Sequence, residues 1–174
     1  MELELGKKEV DMDTAPASVA VPISSVVPHR GIMSLLHELS YHDASTTICE
    51  VRIDPQSLFR VDRGDRGVPS WVAIEYMAQA VAAHDGLEAK EKGKAGERIG
   101  FLISVRKARF LVDFFCLFQT LRISVFHLWG EGESDFFTFR GEVREAGTDA
   151  LLAEAQLNFY RPENLDAFKD KSAS

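Results

Sequence analysis

Residues 68–86 constrain this chain most, because they read as one apolar helix with a single acid, Glu75, in its middle. A helix that is apolar on all sides is normally covered on most of them. Burying a carboxylate costs free energy unless the group is paired or used. Glu75 therefore either has a structural partner or takes part in a reaction.

Local signals place the ends of this helix. Pro69 suits a first-turn position and Ser70 a capping position, so the helix is predicted to begin there. The run His84-Asp85-Gly86 indicates a stop, with residues 87–92 as an alternative extension of a turn or two. After residues 93–96, a predicted connector, the apolar period changes to two, which predicts strands.

Alternating apolar residues predict an antiparallel sheet. One apolar helix followed by long strands is accommodated most simply by a strongly curved sheet wrapped around the helix, which is an α+β fold. The predicted strands are 47–53, 98–110, 120–129, 136–145 and 151–160, the last two joined as a hairpin through residues 146–149.

The composition predicts one domain over residues 21–164, a mobile arm over 1–20 and a polar tail over 165–174. A net charge of −7 without a Lys/Arg stripe argues against nucleic-acid binding. The charged N-terminal residues and the lack of a long apolar run predict a cytoplasmic protein that does not span a membrane. Cys49 and Cys116 are interpreted as reduced core thiols. No metal-ligand cluster, phosphate-binding loop or Gly-x-Ser-x-Gly elbow is visible, so cofactor-free chemistry is expected.

Two motifs resemble the 3-hydroxyacyl-[acyl-carrier-protein] dehydratase branch of the hotdog fold. Pro28-His29-Arg30, followed by Met33 to Leu36, is similar to the opening segment of that family. Ile74-Glu75-Tyr76-Met77-Ala78-Gln79-Ala80 is similar to its central helix, and Pro69 stands where the family has a proline. The resemblance covers roughly residues 22–162.

A divergent bacterial subgroup, the dehydratase-like proteins of aryl-polyene-type gene clusters, is more similar still. The shared features are Ala73 to Gln79, His84 close to Gly86, and Gly100-Phe101-Leu102. The resemblance implies a hotdog fold of one helix wrapped by five or six strands. It also implies a homodimer or higher oligomer with a continuous sheet and an active site at the subunit interface.

The resemblance also implies roles for individual residues. Glu75 would protonate the leaving hydroxyl. The structural alternative is that its carboxylate is satisfied by a backbone amide or by an arginine across the dimer and takes no part in a reaction. His29 is the first candidate base, with fixing of the N-terminal turn as its structural alternative. Backbone N–H groups at Ser70 and Trp71 would bind the thioester oxygen. Gln79, one turn after Glu75, would orient the acid, contact substrate or simply cross-link the helix to the sheet.

One departure from the family concerns the base. The family carries its catalytic histidine fourteen residues before the helix glutamate, where this chain has Val61. His84 lies nine residues after Glu75, about 180° around an ideal helix, and is interpreted as a helix C-terminal group unless it acts across the interface. The remaining histidines are assigned surface roles: His37, His42 and His127.

Three functions remain open at this point. The first is dehydration of 3-hydroxyacyl thioesters of acyl carrier protein or coenzyme A in fatty-acid or polyene assembly. The second is acyl-thioester hydrolysis with Glu75 as base or nucleophile. The third is a non-catalytic subunit that pairs with an active hotdog dehydratase. The loop containing Arg63 and Arg66 is either solvated or a contact for an acidic carrier or a pantetheine phosphate.

Overall fold

The computed structural model describes residues 21–23, 31–61, 67–93, 100–130 and 135–162. Three predictions lie outside the described residues. They are the N-terminal arm with the polar tail, His29 within its motif, and the arginines at positions 63 and 66.

A seven-stranded antiparallel sheet dominates the fold, in the spatial order β1-β2-β3-β7-β8-β9-β5. Six of its strands are five to ten residues long, which confirms the predicted α+β hotdog architecture. The strands are β1 (Val21–Pro22), β2 (Glu38–His42), β3 (Thr46–Arg52), β5 (Phe101–Phe110), β7 (Thr120–Trp129), β8 (Phe136–Glu145) and β9 (Leu151–Tyr160). A separate two-stranded pair consists of β4 (Val68–Pro69) and β6 (Phe114–Phe115).

The helix α1 spans Ala73–Glu91, so it begins later than predicted and ends within the alternative extension over residues 87–92. Ser70–Val72 form a 3₁₀ turn in front of it, so Ser70 lies inside that turn and the N-cap of α1 is Val72. Gly86 does not stop the helix, because packed neighbouring turns outweigh the small propensity cost of one glycine. The actual stop is Gly93, which has a left-handed φ of 63° and donates its N–H to the Lys90 carbonyl at 3.1 Å.

The concave face of the sheet packs on α1 through β3, β7, β8 and β9. Met77, fully buried on α1, lies directly over Gly141 of β8. A Cβ atom at position 141 would lie 2.6 Å from the Met77 Sδ atom, closer than any normal contact. Glycine at this position therefore allows the helix to approach the sheet closely two residues after Glu75.

Strand β5 lies at one edge of the sheet and is hydrogen-bonded to β9 alone among the described strands. Its apolar side chains are exposed, with Ile103 at 53% and Leu102 and Val105 at 37% each. An open strand edge with exposed aliphatic side chains is typical of a surface that another chain covers.

The two cysteines differ in environment. Both are free thiols, and Cys49 is buried in β3 as predicted. Cys116 is exposed, so the prediction of a second core thiol is wrong. It lies in a turn after β6 that is closed by the Gln119 N–H donating to its carbonyl at 3.2 Å, and this turn takes the thiol out of the core. Within the described part of the chain, no helix has the length and apolar character needed to cross a membrane.

Candidate active site

Glu75 lies in the first turn of α1 and is half-buried, with its carboxylate held by Gln79. The Gln79 Nε2 atom donates to Glu75 Oε1 at 2.9 Å and to the Met33 carbonyl at 2.8 Å. The Gln79 Oε1 atom accepts the backbone N–H of Leu35 at 2.9 Å. Gln79 itself is fully buried, so one amide ties the segment before β2 to the helix and to the candidate acid.

These contacts match two of the roles predicted for Gln79. The amide has two hydrogens, and both are donated, one to Glu75 and one to the segment that precedes β2. The side chain therefore holds the Glu75 carboxylate and joins the helix to the segment before β2, while a role in positioning a catalytic acid stays a prediction. A direct contact between Gln79 and substrate stays a prediction.

The N-terminal end of α1 differs from the expectation for Ser70. Its backbone N–H is not free, because it donates to the Asp113 carbonyl at 3.0 Å. The pairing of β4 with β6 brings Asp113 next to Ser70 and explains why this donor is occupied. The described residues supply no acceptor for the N–H of Trp71, whose side chain is 59% exposed. Of the two N–H groups predicted to bind a thioester oxygen, the one at Ser70 is therefore occupied, and the one at Trp71 has no acceptor among the described residues.

Exposed apolar side chains surround this end of the helix. The Phe59 ring lies 6.1 Å from the Trp71 ring, and Met33, which contacts Gln79 through its carbonyl, is also exposed. Phe118, in the connection after β6, is 82% exposed and has a φ of 66°. Phe59 has a similar φ of 67°. Such backbone conformations are costly for aromatic residues and are concentrated at functional surfaces.

A second polar cluster, which sequence reasoning missed, lies further along α1. The Thr47 Oγ1 atom is 2.9 Å from His84 Nδ1 and 2.8 Å from His42 Nδ1. The His127 ring is 6.1 Å from the His84 ring. We call His42, His84 and His127 the histidine cluster. Burial, and next the neighbouring His42, lowers the pKa of His84 to about 4.

The positions of these three histidines differ from the predictions. His84 is buried in the helix rather than placed at its C-terminus, because α1 continues to Glu91. His42 and His127 are half-buried and packed beside it, not isolated on the surface. His37 is exposed as predicted, and its Nδ1 accepts the Arg52 N–H at 3.2 Å. Register brings these residues together: β3 carries Thr47 opposite His42 of β2, a pairing that no local pattern reveals.

The histidine cluster does not reach the candidate acid within the chain. Nine residues of helix separate His84 from Glu75, about 13.5 Å along the axis. In the described residues, no imidazole contacts Glu75. Glu75 also does not line the groove of about 340 Å³ on β5, β8 and β9. The lining of that groove includes Ile103, Arg106, Phe136, Gln156 and Asn158.

A central helix with an acid in its first turn, a wrapped antiparallel sheet and an open strand edge define a hotdog-fold protein. The chain belongs to the ApeP-like family, described as ApeP dehydratase, whose model matches residues 21–170. It is similar to a solved structure described as the dehydratase heterocomplex ApeI:P from Xenorhabdus doucetiae. The two share 29% identity over 86% of this chain and 96% of that one, with a TM-score of 0.75.

More distant structures share the fold alone. Zebra fish thioesterase superfamily member 2 is 12% identical, with 80% of this chain and 91% of that chain covered and a TM-score of 0.54. The Escherichia coli PaaI protein from the phenylacetic acid degradation operon is 12% identical, with coverages of 71% and 81% and a TM-score of 0.52. A search of curated protein sequences gives no match.

Proposed function

We propose that this protein dehydrates 3-hydroxyacyl thioesters in aryl-polyene-type assembly, with Glu75 as the acid that protonates the leaving hydroxyl. The observation that carries the proposal is the Glu75 carboxylate, half-buried and held at 2.9 Å by Gln79 beside exposed apolar side chains. A carboxyl group that a hydrogen bond holds in one position can transfer a proton to a substrate bound beside it. Membership of the ApeP-like dehydratase family supports this reaction over hydrolysis.

The base comes from outside the described part of this chain. Dehydration requires a group that removes the proton beside the thioester carbonyl, in addition to the acid. The imidazoles of the histidine cluster lie too far along α1 to serve, and His37 is engaged by the Arg52 N–H. The base is then His29 or a residue of a second subunit. The second subunit is favoured by the exposed edge strand β5.

The partner in this proposal is a second hotdog chain that continues the sheet. Ile103, Leu102 and Val105 offer an aliphatic strip on β5 for such a chain, and no described strand pairs with the outer edge of β5. The similar structure from Xenorhabdus is a complex of two different dehydratase subunits, which supports a heteromeric partner. A second copy of this chain is the alternative occupant. The acyl carrier protein or coenzyme A thioester as substrate and a cytoplasmic location complete the proposal.

The test is formation of the enoyl thioester from a 3-hydroxyacyl thioester, followed by mass spectrometry. The chain is assayed alone and after co-expression with a histidine-bearing hotdog dehydratase. In whichever state is active, Glu75→Gln is expected to lower kcat by about 10²–10⁴-fold, the contribution of a positioned acid. The control is Glu38→Gln, which removes an exposed glutamate on β2 and is expected to leave the rate unchanged. Full activity of Glu75→Gln in the active state would defeat the proposed mechanism.

The same experiment separates the two rival functions. Release of free thiol without enoyl product indicates thioester hydrolysis. Turnover only in the co-expressed complex, unaffected by Glu75→Gln, indicates a non-catalytic partner subunit. Turnover only in the complex and loss of it in Glu75→Gln supports an active site shared between two different chains.

A further inference from the structure

His42 presents a buried ring nitrogen that has no hydrogen-bond partner in the described part of the chain. Its Nδ1 atom is engaged at 2.8 Å by the Thr47 hydroxyl, while its Nε2 atom is shielded from solvent and unpaired among the described residues. A buried polar atom without a partner is unusual in a folded protein and calls for an explanation. The fixed Nδ1 contact holds the ring with Nε2 as the atom left to bind something.

Two carboxylates from the last turns of α1 lie close to a ring nitrogen of His42. One oxygen of Glu88, one of Glu91 and a ring nitrogen of His42 all lie within 4.8 Å of one another. Glu88 is half-buried and Glu91 is exposed. Glutamates three residues apart on a helix share a face, so both can point towards β2, which carries the histidine.

We propose that His42, Glu88 and Glu91 form a binding site for a divalent transition-metal ion such as Zn²⁺. One imidazole and two carboxylates are a ligand set that zinc accepts, with a water molecule in the remaining position. The imidazole favours a first-row transition metal over Mg²⁺ or Ca²⁺, which prefer oxygen ligands alone. Zinc–ligand bonds of about 2.0–2.2 Å require the three atoms to move closer together, and the exposed Glu91 side chain has the freedom to do so.

The hydrogen bonds that would hold the His42 ring in position for a metal ion are already present. A metal ion on Nε2 requires the proton of His42 to be on Nδ1, which then donates to the Thr47 oxygen. Thr47 in turn is free to donate its own hydrogen to His84 Nδ1 at 2.9 Å. The whole chain of polar groups is then satisfied. Thr47 is fully buried, so its orientation is fixed by the core.

Lys92 is the competitor for this site. Its Nζ atom pairs with Glu88. A bound cation would replace this ammonium group. The site is also independent of the proposed dehydration, because Glu88 lies thirteen residues after Glu75, about 20 Å along the helix. Its role is therefore to join the C-terminal end of α1 to β2, not to act on the thioester.

The test is isothermal titration calorimetry of the full chain, stripped with a chelator and free of any affinity tag, with Zn²⁺ and separately with Mg²⁺. We expect saturable binding of one Zn²⁺ per chain and none of Mg²⁺. Because Glu91 is exposed, Glu91→Gln is expected to fold normally, which circular dichroism checks. It is expected to weaken Zn²⁺ binding by at least the roughly 10–100-fold that loss of an outer-shell partner costs.

Two further variants complete the design. Lys92→Ala removes the competing ammonium group and is expected to tighten binding or leave it unchanged, whereas Glu38→Gln, the distant control, is expected to have no effect. A Co²⁺ absorption band that is present in the wild type and lost in Glu91→Gln would place the ion at this cluster. Absence of saturable Zn²⁺ binding, or equal affinity of the wild type and Glu91→Gln, would overturn the proposal.

Discussion

Gln79→Met is the substitution that most directly tests how the candidate acid is held. Methionine is close to glutamine in volume, so the change removes three hydrogen bonds without opening a large cavity. The buried Leu35 N–H loses its acceptor, at a cost of about 1–3 kcal/mol. The hydrogen bonds to the Met33 carbonyl and the Glu75 carboxylate are only part-buried, and the loss of each costs about 0.5–1.5 kcal/mol. The free energy of unfolding is therefore expected to fall by about 2–6 kcal/mol.

The assay is urea denaturation followed by circular dichroism, beside the rate of enoyl thioester formation. Gln119→Met is the matched control, because Gln119 also accepts a backbone N–H, from Cys116 at 3.0 Å, and donates to a glutamate, Glu145, at 2.9 Å. The N–H that Gln119 accepts is exposed, whereas the Leu35 N–H is buried, so a smaller loss of stability is expected in Gln119→Met than in Gln79→Met. If Gln79 positions the acid, kcat falls in Gln79→Met while KM changes little. Equal loss of stability in the two variants, with unchanged kcat, would refute the reasoning.

Two further predictions concern the core around α1. Because the pKa of His84 is about 4 when folded and near 6.5 when unfolded, the unfolded chain binds more protons between these values. The free energy of unfolding should therefore fall by about 3 kcal/mol as the pH drops from 6.5 to 4, measured in a chelator. His84→Gln should reduce this fall in the free energy of unfolding between pH 6.5 and 4. An equal fall in the variant and the wild type would show that His84 is not its source. Gly141→Ala should cost about 1–3 kcal/mol by overpacking against Met77. In urea denaturation, adding Met77→Ala should recover part of that loss, whereas strictly additive effects would show that the two residues are not in conflict.

The strands after the helix were predictable because their signal is local. Alternation of apolar side chains depends only on neighbouring residues, and the bounds of Thr120–Trp129, Phe136–Glu145 and Leu151–Tyr160 match the prediction. The end of α1 was not predictable in the same way. Gly86 and Gly93 are equally good stop signals by themselves, and tertiary packing decides between them.

In the candidate site, too, local contacts were predictable from the sequence and long-range contacts were not. Glu75 and Gln79 are four residues apart on one helix, so their contact follows from helical periodicity. The hydrogen bond from Ser70 to Asp113 joins residues 43 positions apart and depends on how β4 pairs with β6. The histidine cluster likewise joins three elements of the fold. Contacts of this kind are set by topology and register, which one sequence read locally does not contain.

The open edge of β5 has a thermodynamic consequence for the protein as a free subunit. If another chain completes the sheet there, association and folding are linked equilibria, and the melting temperature must rise with the concentration of the complex. A subunit made in excess of its partner keeps Ile103 and its aliphatic neighbours in water and is prone to aggregation. The ratio in which the two chains are synthesised would then determine how much of this one survives.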